Sequence, residues 1–287
     1  MYYLLYNPKS SKGNILKKVN KVYKKIIKKN DCYKINLLEI VQKERIFLKQ
    51  CTAEDTIILF GGDGTLDLFI NQITGERIPF RFLYYPCGSG NDFSREFKGK
   101  CFEITKEIQN LPRLRVNGKE EYVFINGTGM GIDAVVCRSK SQYKFSEVRK
   151  GYFSIALSSL KTFRPYSLDV EIDGECRHYD NVWFFICNHG KYMGGGMKVT
   201  PKAVRGDDLI DVCIVHSLSL RKVIMIFPLI YFGWHTLFKR HVEIVRCKKF
   251  KAVPHGTNIL QRDGEIIDYV RELSLIHISE PTRPEPI

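Results

Sequence analysis

Thr56-Ile57-Ile58-Leu59-Phe60-Gly61-Gly62-Asp63-Gly64-Thr65 constrains this chain more than any other stretch. An apolar, β-branched run without Pro or Gly suits a buried strand. Three glycines in four positions then break it, and apolar residues at helical spacing (Leu66, Leu68, Phe69, Ile70, Ile73) follow directly. The pattern predicts strand, tight turn, helix. Glycines at such a turn leave backbone N–H groups uncovered by any Cβ. N–H groups set at a helix N-terminus make a seat for phosphate. Asp63 puts a carboxylate into that seat, and a bound Mg²⁺ or a proton-transfer role would resolve the conflict. A plain Asp-Gly turn without chemistry is the competing reading of these residues alone.

Two further loops tip the balance. Residues 2–6 read as a first strand, ending at Asn7-Pro8-Lys9-Ser10-Ser11-Lys12-Gly13, a polar loop rich in donors. Ile15, Leu16, Val19, Val22, Tyr23, Ile26 and Ile27 then recur at helical spacing, with lysines on the opposite face. A second strand is expected over 33–38, and residues 52–60 lead into the Gly-Asp-Gly turn. Another strand, 80–85, ends at Pro86-Cys87-Gly88-Ser89-Gly90-Asn91-Asp92-Phe93. Alternating strands and helices predict a parallel sheet with its ligand crevice at the carboxyl ends of the strands. All three loops can then meet at one site.

Near residues 112–118 the character changes. From Glu121 the pattern is mostly strands (122–126, 168–172, 182–187, 209–215, 242–246 and 250–253), with Asp173-Gly174 and Asp263-Gly264 as turn signals. Helices are expected over 152–162 and 220–238. The reading is a first domain over 1–117 and a β-rich second domain over 118–273. Residues 274–287, with three prolines, look like translated sequencing-adapter sequence and stand outside the fold argument.

Charge narrows the partners. The chain carries 45 Lys and Arg against 31 Asp and Glu, a net charge of +14, and eight lysines fall between Lys12 and Lys29. That implies an anionic partner: a phospholipid surface, a nucleotide or nucleic acid. A solvated helix face is the plainer reading of the lysines by themselves. Nine scattered cysteines with no C-x-x-C pair suit a reducing, cytosolic compartment. The beginning of the chain reads as a strand and not a signal peptide. The apolar run 223–234 contains Pro228 and falls well short of the ~20 residues that span a bilayer. Localisation is therefore expected to be cytoplasmic, peripheral at the inner face of the membrane.

Taken together, these residues resemble the diacylglycerol kinase catalytic-domain family, which includes bacterial lipid kinases and the sphingosine and ceramide kinases. Gly61-Gly62-Asp63-Gly64-Thr65 looks like the family's nucleotide-binding signature, the Asn7–Gly13 loop its first phosphate-contacting loop, and Pro86 to Phe93 its Pro-x-Gly-Thr-x-Asn-Asp-Phe element. Gly129-Met130-Gly131-Ile132-Asp133-Ala134 is similar to the family's glycine-rich strand end. Gly194-Gly195-Gly196-Met197 with Pro201 and Ala203, Asp207 with Leu209-Ile210-Asp211-Val212, and Asp263-Gly264-Glu265 resemble its later elements. The match runs in order from Tyr2 to Arg271. Ser11 stands where the family has Gly, Asp208 where it has Gly, and Gly206 where it has Asp.

The resemblance implies a three-layer α/β nucleotide-binding domain followed by a β-sandwich domain, with the active site in the cleft between. It implies ATP as co-substrate, Mg²⁺, and a lipid acceptor such as diacylglycerol. Backbone N–H groups of Gly61, Gly62, Gly64 and Thr65 would hold phosphate, with Asn7, Lys12, Gly88, Ser89, Gly90 and Asn91 adding donors. Asp63 and Asp263 would hold the catalytic Mg²⁺. Asp207, with the carbonyls of Val204 and Leu209, matches a structural Mg²⁺ site of some bacterial members. Glu265 is the first choice as general base and Asp63 the second. Lys144, Arg149 and Lys150 are candidates for neutralising phosphate. Residues 220–238 read either as an acyl-chain lid and membrane-docking surface or as a buried core helix. Two other functions stay open: another lipid or a soluble acceptor such as NAD, and, from charge alone, nucleic-acid binding. No recognition module supports the last, so no nucleic acid is expected as partner. A homodimer is left open.

Overall fold

The structure, a computed structural model, describes residues 1–10, 14–76, 78–142, 158–256 and 258–276. The expectations for Ser11, Lys12, Gly13, Lys144, Arg149, Lys150 and residues 277–287 lie outside these. The chain divides into two compact units: Met1–Gln109 with Gly194–Gly196, and Asn110–Met193 with Met197–Ile287.

The first unit is built on β1 (Tyr2–Tyr6), α1 (Ile15–Ile26), β2 (Cys32–Asn36), α2 (Glu44–Lys49), β3 (Thr56–Gly61), α3 (Asp63–Ile73), β4 (Arg81–Pro86), β5 (Phe102–Glu103) and α4 (Thr105–Gln109). Its sheet runs β2-β1-β3-β4-β5, parallel except for the short edge strand β5. β3 lies in the middle and every residue of it is buried, which is why its sequence is a continuous apolar run. Leu4, Ile58 and Phe60 face Ile15 and Val19 of α1, while Phe82 meets Phe69 of α3. Lys17, Lys21, Lys24 and Lys25 of α1 fall on its outer side. Because β1, β3 and β4 are parallel neighbours, their three following loops leave the same edge of the sheet. The expected α/β domain is present.

The second unit is an antiparallel assembly of eleven strands. After β6 (Arg113–Val116) and β7 (Glu120–Val123) come β8 (Gly127–Gly131), α5 (Ile132–Gln142), β9 (Tyr166–Ile172), β10 (Glu175–Asn188) and β11 (Ile210–His216). α6 (Leu220–Ile226) precedes two 3₁₀ turns (Phe227–Phe232 and Trp234–Leu237), followed by β12 (Val242–Cys247), β13 (Lys249–His255), β14 (Leu260–Arg262), β15 (Glu265–Ile267) and β16 (Leu273–Ile276). β10 pairs with β9 along its first half and with β8 and β11 along its second; a register shift between Tyr179 and Val182 separates the two. Asn181, at φ +53°, sits inside that shift. Asp173-Gly174 and Asp263-Gly264 form two-residue hairpin turns with both residues at positive φ, as the turn signals predicted.

Three expectations change. The division falls at Gln109/Asn110, not at 117/118, because β6 hydrogen-bonds to β16 of the second sheet. Ser274, Leu275 and Ile276, set apart as tail, complete β16, and Leu275 is fully buried. Residues 220–238 are not one helix: Pro228 and the left-handed Gly233 break it into α6 and the two 3₁₀ turns. The nine cysteines are all free.

Candidate active site

In the first unit the three loops are tied together by hydrogen bonds from both backbone and side chains. Asn7 spends its side-chain oxygen on its own turn, accepting from Lys9 N (3.0 Å), while its carbonyl accepts from Ser10 N (3.0 Å). Ser10 Oγ then meets Thr65 Oγ1 at 3.1 Å, tying this loop to α3. Gly61 accepts through its carbonyl from Cys87 N (2.6 Å) and the Tyr84 hydroxyl (3.0 Å), tying β3 to β4. Gly62 starts α3 in an extended conformation and accepts from Thr65 N and Leu66 N. A Cβ on Gly62 would fall 2.9 Å from Gly88 Cα, and one on Gly88 would fall 2.6 Å from Gly62 Cα. Bare backbone against bare backbone is the reason for both glycines. A Cβ on Gly64 would meet nothing within 4 Å. The glycine there leaves open space beside the N–H groups that begin α3, where an anion is favoured.

Asp63 carries a structural task that its motif does not display. Its carboxylate accepts from Asp92 N (3.0 Å) and Phe93 N (3.2 Å), so both oxygens hold the Pro86–Phe93 loop. Asn91, at φ +51°, closes the same loop by donating from Nδ2 to Gly88 O (2.8 Å). Gly90 lies close by: a Cβ there would come 3.4 Å from Asp63 Oδ2. Ser89 is exposed at the loop tip.

Two side chains missed by motif reading complete this unit. Asp92 is buried, ion-paired with Arg95 Nε (3.3 Å), and accepts from Gly195 N at 2.7 Å. Gly196 packs on the Arg95 guanidinium, where a Cβ would lie 3.0 Å from Cζ. Gly194, Gly195 and Gly196 all have positive φ, which is what a Gly-Gly-Gly run permits. The Asn-Asp-Phe sequence was the one signal available for Asp92.

In the second unit the Asp263 carboxylate accepts from three backbone donors: Ile125 N (2.6 Å), Asn126 N (2.9 Å) and Gly127 N (3.1 Å). Burial raises its pKa above the ordinary carboxylate value, against the pull of Ile125 N–H, the Arg262 guanidinium and two further N–H groups. These bonds fasten the β14–β15 hairpin to the start of β8; Asp263 is a clamp, and not the open metal ligand that was expected. Glu265 is the first residue of β15, opposite Arg262 across the turn, and exposed. Its carboxylate is thus carried on a hairpin held rigidly from below. Among the described residues, no three His, Cys, Asp or Glu side chains gather as a metal site.

Residues 1–119 match the diacylglycerol kinase catalytic domain, and residues 127–274 match the YegS C-terminal NAD kinase beta sandwich-like domain. The chain belongs to the diacylglycerol kinase catalytic-domain family. It is 26% identical over 291 residues to "Putative lipid kinase YtlR" of Bacillus subtilis (strain 168), covering 93% of each chain. It is 25% identical over 221 residues to a diacylglycerol kinase of Mycobacterium tuberculosis, covering 74% of this chain and 70% of the relative. A diacylglycerol kinase structure from Bacillus anthracis superposes with a TM-score of 0.63 at 16% identity, over 96% of this chain and 93% of that one. The last likeness speaks to the fold. The chain is a lipid kinase.

In this lipid kinase the residues expected to hold a structural Mg²⁺ do not fit one. Asp207 Oδ1 accepts from Leu209 N (3.2 Å), and Oδ2 accepts from Arg246 Nη2. Arg246 Nε also pairs with the buried Asp211 at 3.4 Å. Burial pushes Asp211 up to about 6, with Arg246 pulling it down. A guanidinium therefore already supplies the positive charge between these carboxylates. Val204 is exposed, and Asp208, in the place of the family's Gly, accepts from Asn110 at φ +59°.

The second unit of the kinase also holds a small apolar cavity, about 50 Å³ in volume, between α5, β10, β11 and the 220–238 segment. Val223, Ile226, Phe227 and Ile230 form one wall, and Phe184 and Ile186 another. Among the described residues that line it, only Asp133 and His235 bring ionisable groups. Neither was singled out from sequence, although an Asp inside the apolar Gly-Met-Gly-Ile run was a signal. Gly129 makes the room: a Cβ there would lie 2.8 Å from Asp133 Oδ2 and 2.5 Å from Phe185 O. Burial pushes the Asp133 carboxyl up to about 7, with Ala134 N–H and the Gln261 amide pulling the other way. His235 Nε2 faces Val199 O at 2.9 Å, and burial lowers its pKa.

Because the folded state raises the Asp133 pKa, its contribution to stability is fully present below the ordinary carboxylate range and lost as pH rises through about 7. Asp133→Asn should remove that slope, worth up to ~4 kcal/mol for a shift of this size. Urea unfolding at several pH values checks this. An unchanged slope in the variant would place the titration elsewhere.

Proposed function

We propose that this lipid kinase transfers the γ-phosphoryl group of ATP to the free hydroxyl of diacylglycerol, giving phosphatidic acid and ADP, at the cytoplasmic inner face of the membrane. The observation that carries the reading is the bare-backbone seat at Gly62, Gly64 and Gly88, pinned by Asp63 and opening at the N-terminus of α3. Phosphoryl transfer asks chiefly for positioning and charge neutralisation, which rigid N–H groups supply without reorganisation. ATP would enter as its magnesium complex, the ion supplying part of the charge neutralisation. The acceptor choice is supported by the relatives named diacylglycerol kinase.

In the transfer, the lipid hydroxyl oxygen bonds to the γ-phosphorus as the bond from that phosphorus to the ADP oxygen breaks. The hydroxyl proton passes to a carboxylate. Glu265, exposed at the start of β15, takes this role in preference to Asp63, each of whose oxygens already accepts one backbone N–H. Glu265→Gln keeps the shape and removes the base. Its kcat should fall by about a hundredfold or more with Mg·ATP binding little changed. Weakened Mg·ATP binding, partly restored by added Mg²⁺, would make Glu265 a metal ligand; constants within a fewfold of the parent would make it a turn residue.

A further inference from the structure

The 220–238 segment has a second face. While Val223, Ile226 and Ile230 are buried, Met225, Phe232, Trp234 and Leu237 stand 59%, 62%, 57% and 75% exposed. Trp234 and Leu237 are three apart in a 3₁₀ turn, where such positions eclipse, so they share one side. His235 points the other way, buried on the Val199 carbonyl. The Phe232 ring lies 5.2 Å from the Trp234 ring, across Gly233. That corner is firm: a Cβ on Gly233 would fall 2.7 Å from Pro201 Cγ. Four large apolar side chains in so short a segment exceed what scattered surface exposure requires.

The charge around them selects the occupant. Arg221 and Lys222 at one end and Lys239 and Arg240 at the other are all exposed. No Asp or Glu occurs between Ser217 and Arg240. A second copy of the chain bound on this face would oppose basic cluster to basic cluster. Exposed aromatic and Leu side chains flanked only by Lys and Arg are instead suited to the interface of a negatively charged leaflet, where rings lie at headgroup depth and cations meet lipid phosphates.

We propose that the Phe232–Trp234–Leu237 face beds into an anionic lipid bilayer and so holds the kinase where its acceptor resides. The proposal draws its purpose from the lipid-kinase reading, but its test uses binding without nucleotide, so either can fail alone. The chain has two tryptophans, and Trp183 is 3% exposed with its Nε1 donating to Leu218 O at 2.9 Å. Trp234 is therefore a built-in reporter.

The protein would be mixed with vesicles of phosphatidylcholine alone and with equimolar phosphatidylcholine and phosphatidylglycerol, the latter also carrying brominated acyl chains. The expected result is a blue shift and bromine quenching of Trp234 with the anionic vesicles, weakened by salt. Phe232→Ser with Leu237→Ser should weaken partitioning roughly tenfold or more at an unchanged melting temperature. The same variant should keep its activity on diacylglycerol dispersed in detergent. Arg221→Glu with Lys239→Glu should erase the preference for anionic vesicles. Sedimentation with vesicles while Trp234 emission stays fixed would put the contact on another surface, such as the lysines of α1, and overturn the proposal. So would wild-type partitioning by the double serine variant, loss of its detergent activity, or a concentration-dependent emission shift without lipid, which would mean self-association.

Discussion

Gly88→Ala is expected to lower kcat/KM by about a hundredfold or more, because it forces apart the two loops that form the phosphate seat. The new Cβ would lie 2.6 Å from Gly62 Cα, where carbon atoms need about 3.5 Å or more. The obstructing atom is backbone, so no side chain can swing aside. The Gly61 carbonyl, which accepts from Cys87 N, has to follow any movement of β4. Stability should fall by about 1–3 kcal/mol, the usual cost of overpacking. Gly64→Ala is the informative partner. Its Cβ meets no protein atom within 4 Å, and it replaces glycine in the first turn of α3. The fold should tolerate it or gain a few tenths of a kcal/mol from helix propensity. If phosphate occupies the open space, Gly64→Ala nonetheless weakens Mg·ATP binding. Calorimetric binding beside thermal melting reads both variants. Unimpaired Mg·ATP affinity in Gly88→Ala would mean that the two loops do not form the seat.

Asp63→Asn should reduce turnover by at least about a hundredfold through the loop it holds. The carboxylate accepts two backbone N–H groups, from Asp92 and Phe93; an asparagine can accept one and presents an NH₂ to the other. Leaving a donor facing a donor costs about 1–3 kcal/mol, concentrated where Asn91, Asp92 and Gly88 shape the seat. A positioning role and a metal-ligand role separate cleanly. Loss of position leaves the rate low at any Mg²⁺ concentration and lowers the melting temperature. Loss of a ligand leaves the melt unchanged and lets excess Mg²⁺ restore part of the rate. The expected outcome is the first, measured as kcat across a Mg²⁺ series.

Much of this was legible in the residues because the signals were local. A buried strand followed by Gly-Gly-Asp-Gly, and polar loops after two neighbouring strands, fix where backbone donors converge once the sheet is parallel. Asp173-Gly174 and Asp263-Gly264 announce their hairpins because few residues accept positive φ twice in succession. What escaped depended on partners distant in sequence. Asp92 acquires its role from Gly195, more than a hundred positions on, and Asp63 anchors a loop through two N–H groups that no motif displays. Arg246 replaces a divalent charge at Asp207 only because β12 lies alongside β11. Asp133 reads as one more polar residue until the packing of Gly129 shows it buried against an apolar cavity. β6 and β16 were passed over because each is short and finds its partner across the whole second unit.

Transfer of the γ-phosphoryl group to a lipid hydroxyl has a direct readout. It is tested most directly by incubating the purified protein with γ-labelled Mg·ATP and, separately, diacylglycerol, sphingosine, ceramide, NAD and no acceptor. Label is expected in a chloroform-soluble product that co-migrates with phosphatidic acid, with one ADP formed per lipid phosphorylated. Label in NADP, or no lipid product from protein that binds Mg·ATP, would contradict it.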